Sequence, residues 1–259
     1  MTATVADAYS ATGAAWEEGP GRVYNRLADV LVRHSPVPLA GRRVLDLGAG
    51  TGAASRATAR AGGTVVALDV AFGMLAAGRR HRPPAVLGDA GRLPFADGRL
   101  GGVVAAFSLN HVPDPVAAMR ECARVCAAGS PLVASAYAAD DTHPAKQAVA
   151  DALAERGYAP EPWYVALYRD VVPLLADPAR CTALAREAGL DATVRAVRVP
   201  FPDLRADDLV AWRLGMAQHA PFVAGLSPAD REAVRHRAVA LLGDAPPLVR
   251  PFLVITAVI

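Results

Sequence analysis

Val44-Leu45-Asp46-Leu47-Gly48-Ala49-Gly50-Thr51-Gly52 is the stretch that decides the fold of this chain. Arg43–Leu47 reads as a strand of mostly apolar residues, and three glycines at alternate positions follow it. Glycine lets the backbone turn tightly and brings its amides close to a ligand with no side chain between. A helix is expected from Gly52 to Ala61, and its first turn offers free N–H donors and positive dipole potential to a carboxylate or a phosphate. The spacing Gly48-x-Gly50-x-x-Ala53 also fits a dinucleotide-binding turn, so the turn alone leaves the ligand open.

On both sides of that turn the chain is organised to match. Strands are expected at Thr64–Asp69, Ala85–Leu87, Gly102–Phe107 and Leu132–Tyr137, with a helix near Phe72–Arg79. Asp114 caps and Pro115 opens another helix, in which Val116, Met119, Ala123 and Cys126 follow helical spacing. Short apolar strands alternating with helices require a parallel sheet covered on both faces, and right-handed crossovers make that sheet doubly wound. Ligands in such an α/β sheet lie beyond the carboxyl ends of the strands.

The flanks add further elements. One or two helices are expected ahead of Pro38, and a helix runs from Asp177-Pro178 to Ala188 with Gly189 ending it. Ala192–Val199 reads as a strand with one wetter face, followed by helices near Asp207–His219 and Pro228–Leu242, the second with a capping box in Ser227 and Asp230. Phe252–Val258 is the final strand. The expected organisation is a helical leader or lid over 1–40, a ligand-binding core over 41–140, and cap helices with the last two strands over 141–259.

Composition narrows the function classes. Hydrophobic residues make up 53% of the 259 and charged residues 20%, the balance of a compact globular chain, and no apolar run reaches the roughly 18 residues of a spanning helix. No signal peptide is visible, so the cytoplasm is the expected compartment, with no membrane partner. The net charge of +2 comes from scattered basic residues and carries no nucleic-acid footprint. Cys122, Cys126 and Cys181 have no metal-ligand spacing and read as small buried hydrophobes, and no metal site is expected. Lys146 is the sole lysine, which leaves almost no room for lysine chemistry.

Acidic residues separate the two ligands that the glycine turn allows. Asp46 would be awkward beside a pyrophosphate, whereas a ligand with a free amino group welcomes a carboxylate there. Asp69 ends the second strand where a ribose diol would lie, which both readings expect. Gly88-Asp89-Ala90 closes the third strand, where an acid can accept from the exocyclic amine of adenine. Together with the glycine turn these residues resemble the class I S-adenosylmethionine-dependent methyltransferases, and the bacterial type 11 branch most closely. The resemblance runs from about Arg43 to Tyr137, through VLDLGAGTG (Val44–Gly52), ALD (Ala67–Asp69), GDAGRLPFADG (Gly88–Gly98) and AAFSLNHVPDP (Ala105–Pro115) in order.

The resemblance implies S-adenosyl-L-methionine as cofactor and a seven-stranded, Rossmann-like sheet with an antiparallel last strand paired to the sixth. It implies that Asp46, Gly48, Ala49, Gly50 and Gly52 hold the methionine end and that Asp69 binds the ribose. Val70 and Met74 would flank adenine, Asp89 and Ala90 would read its edge, and Phe107 would lie near the sulfonium. Met74 reads equally well as core. One departure is Arg124-Val125-Cys126-Ala127-Ala128-Gly129-Ser130, where the family carries an arginine-valine-leucine-x-proline-glycine-glycine turn.

The acceptor side is read from single residues. His111, just past the fourth strand, and His219, near the end of a lid helix, are the candidate general bases. Trp163, Tyr164 and the helical stripe of Leu209, Trp212, Arg213 and Met216 are candidate acceptor-pocket walls, with plain core as the other reading. Arg213 is expected either to pair with an acid or to meet an anionic acceptor. Tyr9 and Tyr24 could close over the cofactor. The expected substrate is a small, rather apolar metabolite of a bacterial natural-product pathway, methylated in the cytoplasm, with a homodimer among the assemblies left open. Phe107-Ser108-Leu109-Asn110-His111 replaces the motif of nucleic-acid amine methylation, and Asp140-Asp141 reads as an exposed loop pair before it reads as a metal site. The alternatives are a cyclase or regulatory binder on the same fold and, with no Tyr-x-x-x-Lys pair present, an NAD-dependent oxidoreductase.

Overall fold

The computed structural model describes residues 4–259. Three helices open the chain, α1 (Val5–Ser10), α2 (Gly13–Glu18) and α3 (Pro20–Arg33), where the sequence suggested one or two. Gly19 separates the last two, and a Cβ there would collide with the Ala211 carbonyl, so this corner lies directly on the later helix that contains Ala211.

The sheet follows with β1 (Arg43–Leu47), α4 (Ala53–Arg60), β2 (Thr64–Asp69), α5 (Phe72–Gly78), β3 (Ala85–Leu87), β4 (Gly102–Ala106), α6 (Pro115–Val125) and β5 (Pro131–Tyr137). Then come α7 (Pro144–Ala154), α8 (Pro162–Ala166), α9 (Pro178–Glu187), β6 (Thr193–Phe201), α10 (Ala206–Leu214), α11 (Ala220–Gly225), α12 (Pro228–Leu242) and β7 (Leu248–Val258). The seven strands lie in the order β3-β2-β1-β4-β5-β7-β6, the first five parallel and β7 antiparallel to both neighbours. This is the doubly wound α/β sheet that the alternation requires, and the chain reverses its direction of growth between β1 and β4.

Strand alternation divides the core in two. Leu45, Leu47, Val103, Ala105, Leu132 and Ala134 face α6 and α9, while Val44, Val104 and Val133 face the leader side. The three cysteines are all buried, as small hydrophobes are. The atypical turn after α6 keeps its anchorage: Gly129 takes a φ of +78° and its N–H donates to the Ile259 carbonyl (2.6 Å).

The helix expected over Asp207–His219 stops at Leu214, with Gly215 as its C-cap, and α11 restarts at Ala220. Its stripe of Leu209, Trp212, Arg213 and Met216 is wholly buried. A Cβ on Gly215 would overlap Pro20 and the Ala15 carbonyl, so the leader sits on α10. No described helix is long and apolar enough to cross a membrane.

Candidate active site

All five parallel strands deliver residues to one cleft of about 410 Å³ at their carboxyl ends, where a doubly wound sheet binds its ligands. β1 supplies the turn Gly48–Thr51, β2 Asp69 and Val70, β3 Gly88–Ala90, β4 Ala106–Ser108 and His111, and β5 Tyr137. Thr4, Val5, Ala6, Tyr9, Trp16 and Tyr24 of the leader close the opposite side.

The glycine turn is fixed by close approach. Gly48 has a φ of +69°, and a Cβ on it would be driven into the Ser108 Cβ on the neighbouring strand end. The Gly50 N–H donates to Asp69 Oδ2 (2.7 Å) and the Ala71 N–H to Asp69 Oδ1 (2.8 Å), so one carboxylate ties the first two strand ends together. Burial raises the Asp69 carboxyl above its ordinary range against those backbone hydrogen bonds. Asp89 accepts from the Gly91 N–H (2.8 Å), and the loop beyond is held from α6. Glu121 accepts from the Leu93 N–H (2.7 Å), and Arg124 donates to the Leu93 and Phe95 carbonyls (3.0 and 2.9 Å).

Of the residues expected to hold the cofactor, Gly48, Ala49, Gly50, Asp69, Val70, Met74, Asp89, Ala90 and Phe107 line the cleft. Asp46 and Gly52 do not line it. Asp46 shares the face of Val44, which α4 covers, and there it accepts from the Ser55 hydroxyl (2.6 Å) while its Oδ1 has no partner. Burial, with the Asp69 charge adding, raises its carboxyl to about 7. Gly52 serves the fold: it is the left-handed N-cap of α4, packed against Arg82.

The residues present fit S-adenosylmethionine. The volume suits a ligand of that size. Asp69 and Asp89 offer carboxylates at two strand ends, and the glycine turn after β1 lines the wall on the other side of Asp69.

The second half of the cleft is aromatic. Phe107 stacks on Tyr137 (5.3 Å) and meets Tyr24 edge-on (5.4 Å), and Trp16 bridges Tyr9 and Tyr24. Phe107 is the one described non-glycine residue with positive φ, +54°, and its N–H donates to the Ser135 hydroxyl (3.0 Å). That turn aims the Phe107 carbonyl at His111 Nδ1, 3.0 Å away. A carbonyl only accepts, so Nδ1 carries the proton and the Nε2 lone pair accepts from the Tyr9 hydroxyl (2.9 Å). With Nδ1 protonated, the neighbouring Asn110 amide, 3.2 Å away, is oriented with its oxygen accepting from the same N–H. Burial pulls His111 down to about 4, against the Phe107 hydrogen bond, so the imidazole is neutral at pH 7.

The other catalytic and substrate expectations fall outside the cleft. His219 is buried, donates from Nδ1 to the Arg213 carbonyl (2.8 Å), and is pulled to about 3 by burial and by Arg213. Trp163, Tyr164, Trp212 and Arg213 are not on the cleft wall, because the leader occupies the place assigned to α10. Tyr164 and Tyr168 stand behind it: burial and the hydroxyls of Tyr24, Tyr168 and Tyr164 push the Tyr9 phenol well above its ordinary range. Asp140 and Asp141 are tied to cations, Asp140 to Arg198 and Asp141 to Lys146 and Arg250. Among the wall residues that the sequence did not single out are Trp16 and Tyr137. Of these only Tyr137, at the end of a strand, had a positional signal.

Residues 45–134 match the methyltransferase domain family. A demethylmenaquinone methyltransferase of Renibacterium salmoninarum is 41% identical over 135 residues, 51% of this chain and 55% of the relative. The chain thus spans about half the length of the curated relatives it matches. Among solved structures, a methyltransferase ascribed to an antibiotic-biosynthesis pathway of Anabaena variabilis superposes with a TM-score of 0.61 at 17% identity, covering 90% of this chain and 97% of that one. The 4+2 cyclase SpnF superposes with a TM-score of 0.54 at 21% identity, covering 90% of this chain and 80% of that one. At these identities the likeness is one of fold.

Proposed function

We propose, on the premise that residues 45–134 belong to the class I S-adenosylmethionine-dependent methyltransferase family, that the chain methylates a small, largely apolar metabolite held in the aromatic half of its cleft. The observation that carries this reading is the convergence of four motif-bearing strand ends on one cleft, with Asp69 and Asp89 on its wall. Asp69 would take the ribose hydroxyls, Asp89 and Ala90 the adenine edge, and Gly48–Gly50 the methionine end. When bound, S-adenosylmethionine supplies a methyl group already activated for displacement.

The chain's own residues then have two tasks. Tyr9, Trp16, Tyr24, Phe107 and Tyr137 exclude water and align a flat acceptor, which is where most of the rate gain of such a displacement arises. His111 presents a neutral Nε2 to Tyr9 and, through it or in its place, to an acceptor proton. A base held near 4 is weak, so His111 serves acceptors whose proton is already acidic, such as a phenol or an enol. The name of the Renibacterium relative makes demethylmenaquinone one acceptor to test. The alanine- and arginine-rich composition supports a bacterial natural-product pathway as the setting.

Calorimetric titration is the direct check. S-adenosylhomocysteine is expected to bind in the micromolar range and NAD to give no heat. NAD binding without S-adenosylhomocysteine binding would replace the methyltransferase by an oxidoreductase. Cofactor binding without methyl transfer to any phenolic or enolic acceptor would favour the cyclase or regulatory binder.

A further inference from the structure

Behind the aromatic wall lies a group of cations that the proposed chemistry does not use. Arg250 of β7 is 2% exposed and Arg213 of α10 is 7% exposed. Both guanidiniums lean on the Trp212 ring, at 4.9 and 5.2 Å from its centroid. Lys146 of α7 adjoins them. One carboxylate answers two of the three cations: Asp141 Oδ2 accepts from Arg250 Nη2 (2.9 Å) and pairs with Lys146 Nζ (3.0 Å), while its Oδ1 is buried without a donor. Arg213 has no ion pair among the described residues.

The donors left over are numerous. Arg213 Nε, Arg250 Nε and Nη1, Gln218 Nε2 and Trp212 Nε1 are all buried without an acceptor. A buried cation without its partner is strongly destabilising, and each buried unpaired donor adds its own desolvation cost. Elsewhere the chain pairs its exposed arginines freely, Arg26 with Asp203, Arg156 with Asp230 and Arg237 with Glu155. Three cations have the one carboxylate of Asp141 among them, and Arg213 is left without an acid among the described residues, which is the arrangement of a site waiting for an anion.

The cation group is in contact with the cleft. The Arg250 guanidinium lies 5.8 and 5.9 Å from the ring centroids of Tyr24 and Tyr137, which line the cleft and join hydroxyl to hydroxyl at 2.9 Å. Burial pulls Lys146 down to about 8, with Asp141 opposing and Arg250 and Arg213 adding, so all of these charges share one field. We propose that Arg213 and Arg250 form an anion-recognition chamber for the acceptor, entered past the Tyr24–Tyr137 pair, and that the acceptor is an aromatic or conjugated carboxylic acid. The flat ring lies against the cleft faces of Tyr24, Phe107 and Tyr137, and the carboxylate takes the free guanidinium donors, with Gln218 and Trp212 able to add theirs. The inference rests on the methyltransferase reading for the identity of the cleft.

The test uses the full chain with 2-naphthoate and its neutral analogue 2-naphthamide, each titrated with and without saturating S-adenosylhomocysteine. Naphthoate is expected to bind at least about tenfold tighter than the amide. Arg213→Gln and Arg250→Gln should each shrink that preference to within about twofold while S-adenosylhomocysteine affinity stays within about twofold of wild type. If Arg250→Gln does not fold, Arg250→Lys, which keeps the charge and loses the forked donors, takes its place and should lower the preference partly. Equal binding of the two probes, no binding of either, or a preference unmoved in the variants overturns the chamber. A preference for the acid in a chain that does not bind S-adenosylhomocysteine would instead keep the chamber and sink the methyltransferase reading.

Discussion

The two halves of the cleft are built by different means. The cofactor half is backbone: a glycine turn, two strand ends and the amides that Asp69 gathers. The acceptor half is side chain: five aromatic rings and a histidine brought from the leader, the end of β4, β5 and the Leu109–His111 turn. Each piece of a backbone-built site is continuous in sequence, since its geometry comes from neighbouring φ and ψ values. A side-chain-built site is assembled by tertiary packing, and any chain position can contribute.

The largest effect that would break this contrast is at Gly48. Gly48→Ala forces a positive φ on a residue with Cβ and drives that Cβ into Ser108. The expected penalty is about 2–5 kcal/mol, divided between folding and ligand affinity. Gly41 has a similar φ of +74° with nothing within 4 Å of its Cβ. Gly41→Ala should therefore cost only the strain, about 1–2 kcal/mol, with no change in S-adenosylhomocysteine affinity. Denaturant unfolding and calorimetry on the pair separate the two terms, and wild-type affinity in Gly48→Ala would show that backbone approach does not limit this half.

Next in size is Asp69→Ala. Losing a charged acceptor for two ribose hydroxyls is expected to cost about 1.5–3 kcal/mol, or roughly 10- to 150-fold in S-adenosylhomocysteine affinity by calorimetry. The variant should also melt earlier than wild type, because Asp69 holds the Gly50 and Ala71 amides as well as facing the ligand. Unchanged affinity in a folded variant would leave Asp69 only its structural part.

The same contrast explains what could be read in the sequence. β1, β2 and β3 begin and end where their apolar runs do, and all three carboxyl ends carry the motif residues. Strand parity separates Asp46 from its motif neighbours: alternation turns its side chain towards Ser55 and off the cleft wall. On the other side, Tyr9 meets His111 across 102 positions and Tyr24 meets Tyr137 across 113, distances over which no pattern in one sequence carries a signal. The helix containing Trp212 and Arg213 was legible as a helix. Its place beneath the leader was not, because that depends on Gly19 and Gly215 allowing two backbones to touch.

The smallest expected effect is the one in which the two halves differ in sign. Asp46, beneath the glycine turn, is raised by burial to about 7. An acid raised on folding binds its proton more tightly in the folded state, so its contribution is complete below about pH 4 and is lost as pH rises through about 7. His111, on the acceptor side, and His219, outside the cleft beside Arg213, are lowered by burial to about 4 and about 3. A lowered histidine leaves the unfolded chain to bind the proton first, so its contribution is complete above about pH 6.5 and is lost as pH falls from there towards the folded value. Between pH 8 and pH 5 these terms oppose each other, and the stability of the ligand-free wild type should move little. Removing one term exposes the other. Asp46→Asn should steepen the loss of stability on acidification by about 2 kcal/mol, and His219→Gln should flatten or reverse it by a similar amount. Urea unfolding of the three proteins at pH 5 and pH 8 measures both slopes. Parallel behaviour of Asp46→Asn and wild type would mean that Asp46 is ionised and solvated in the fold, and that the carboxylate reaches the cleft after all.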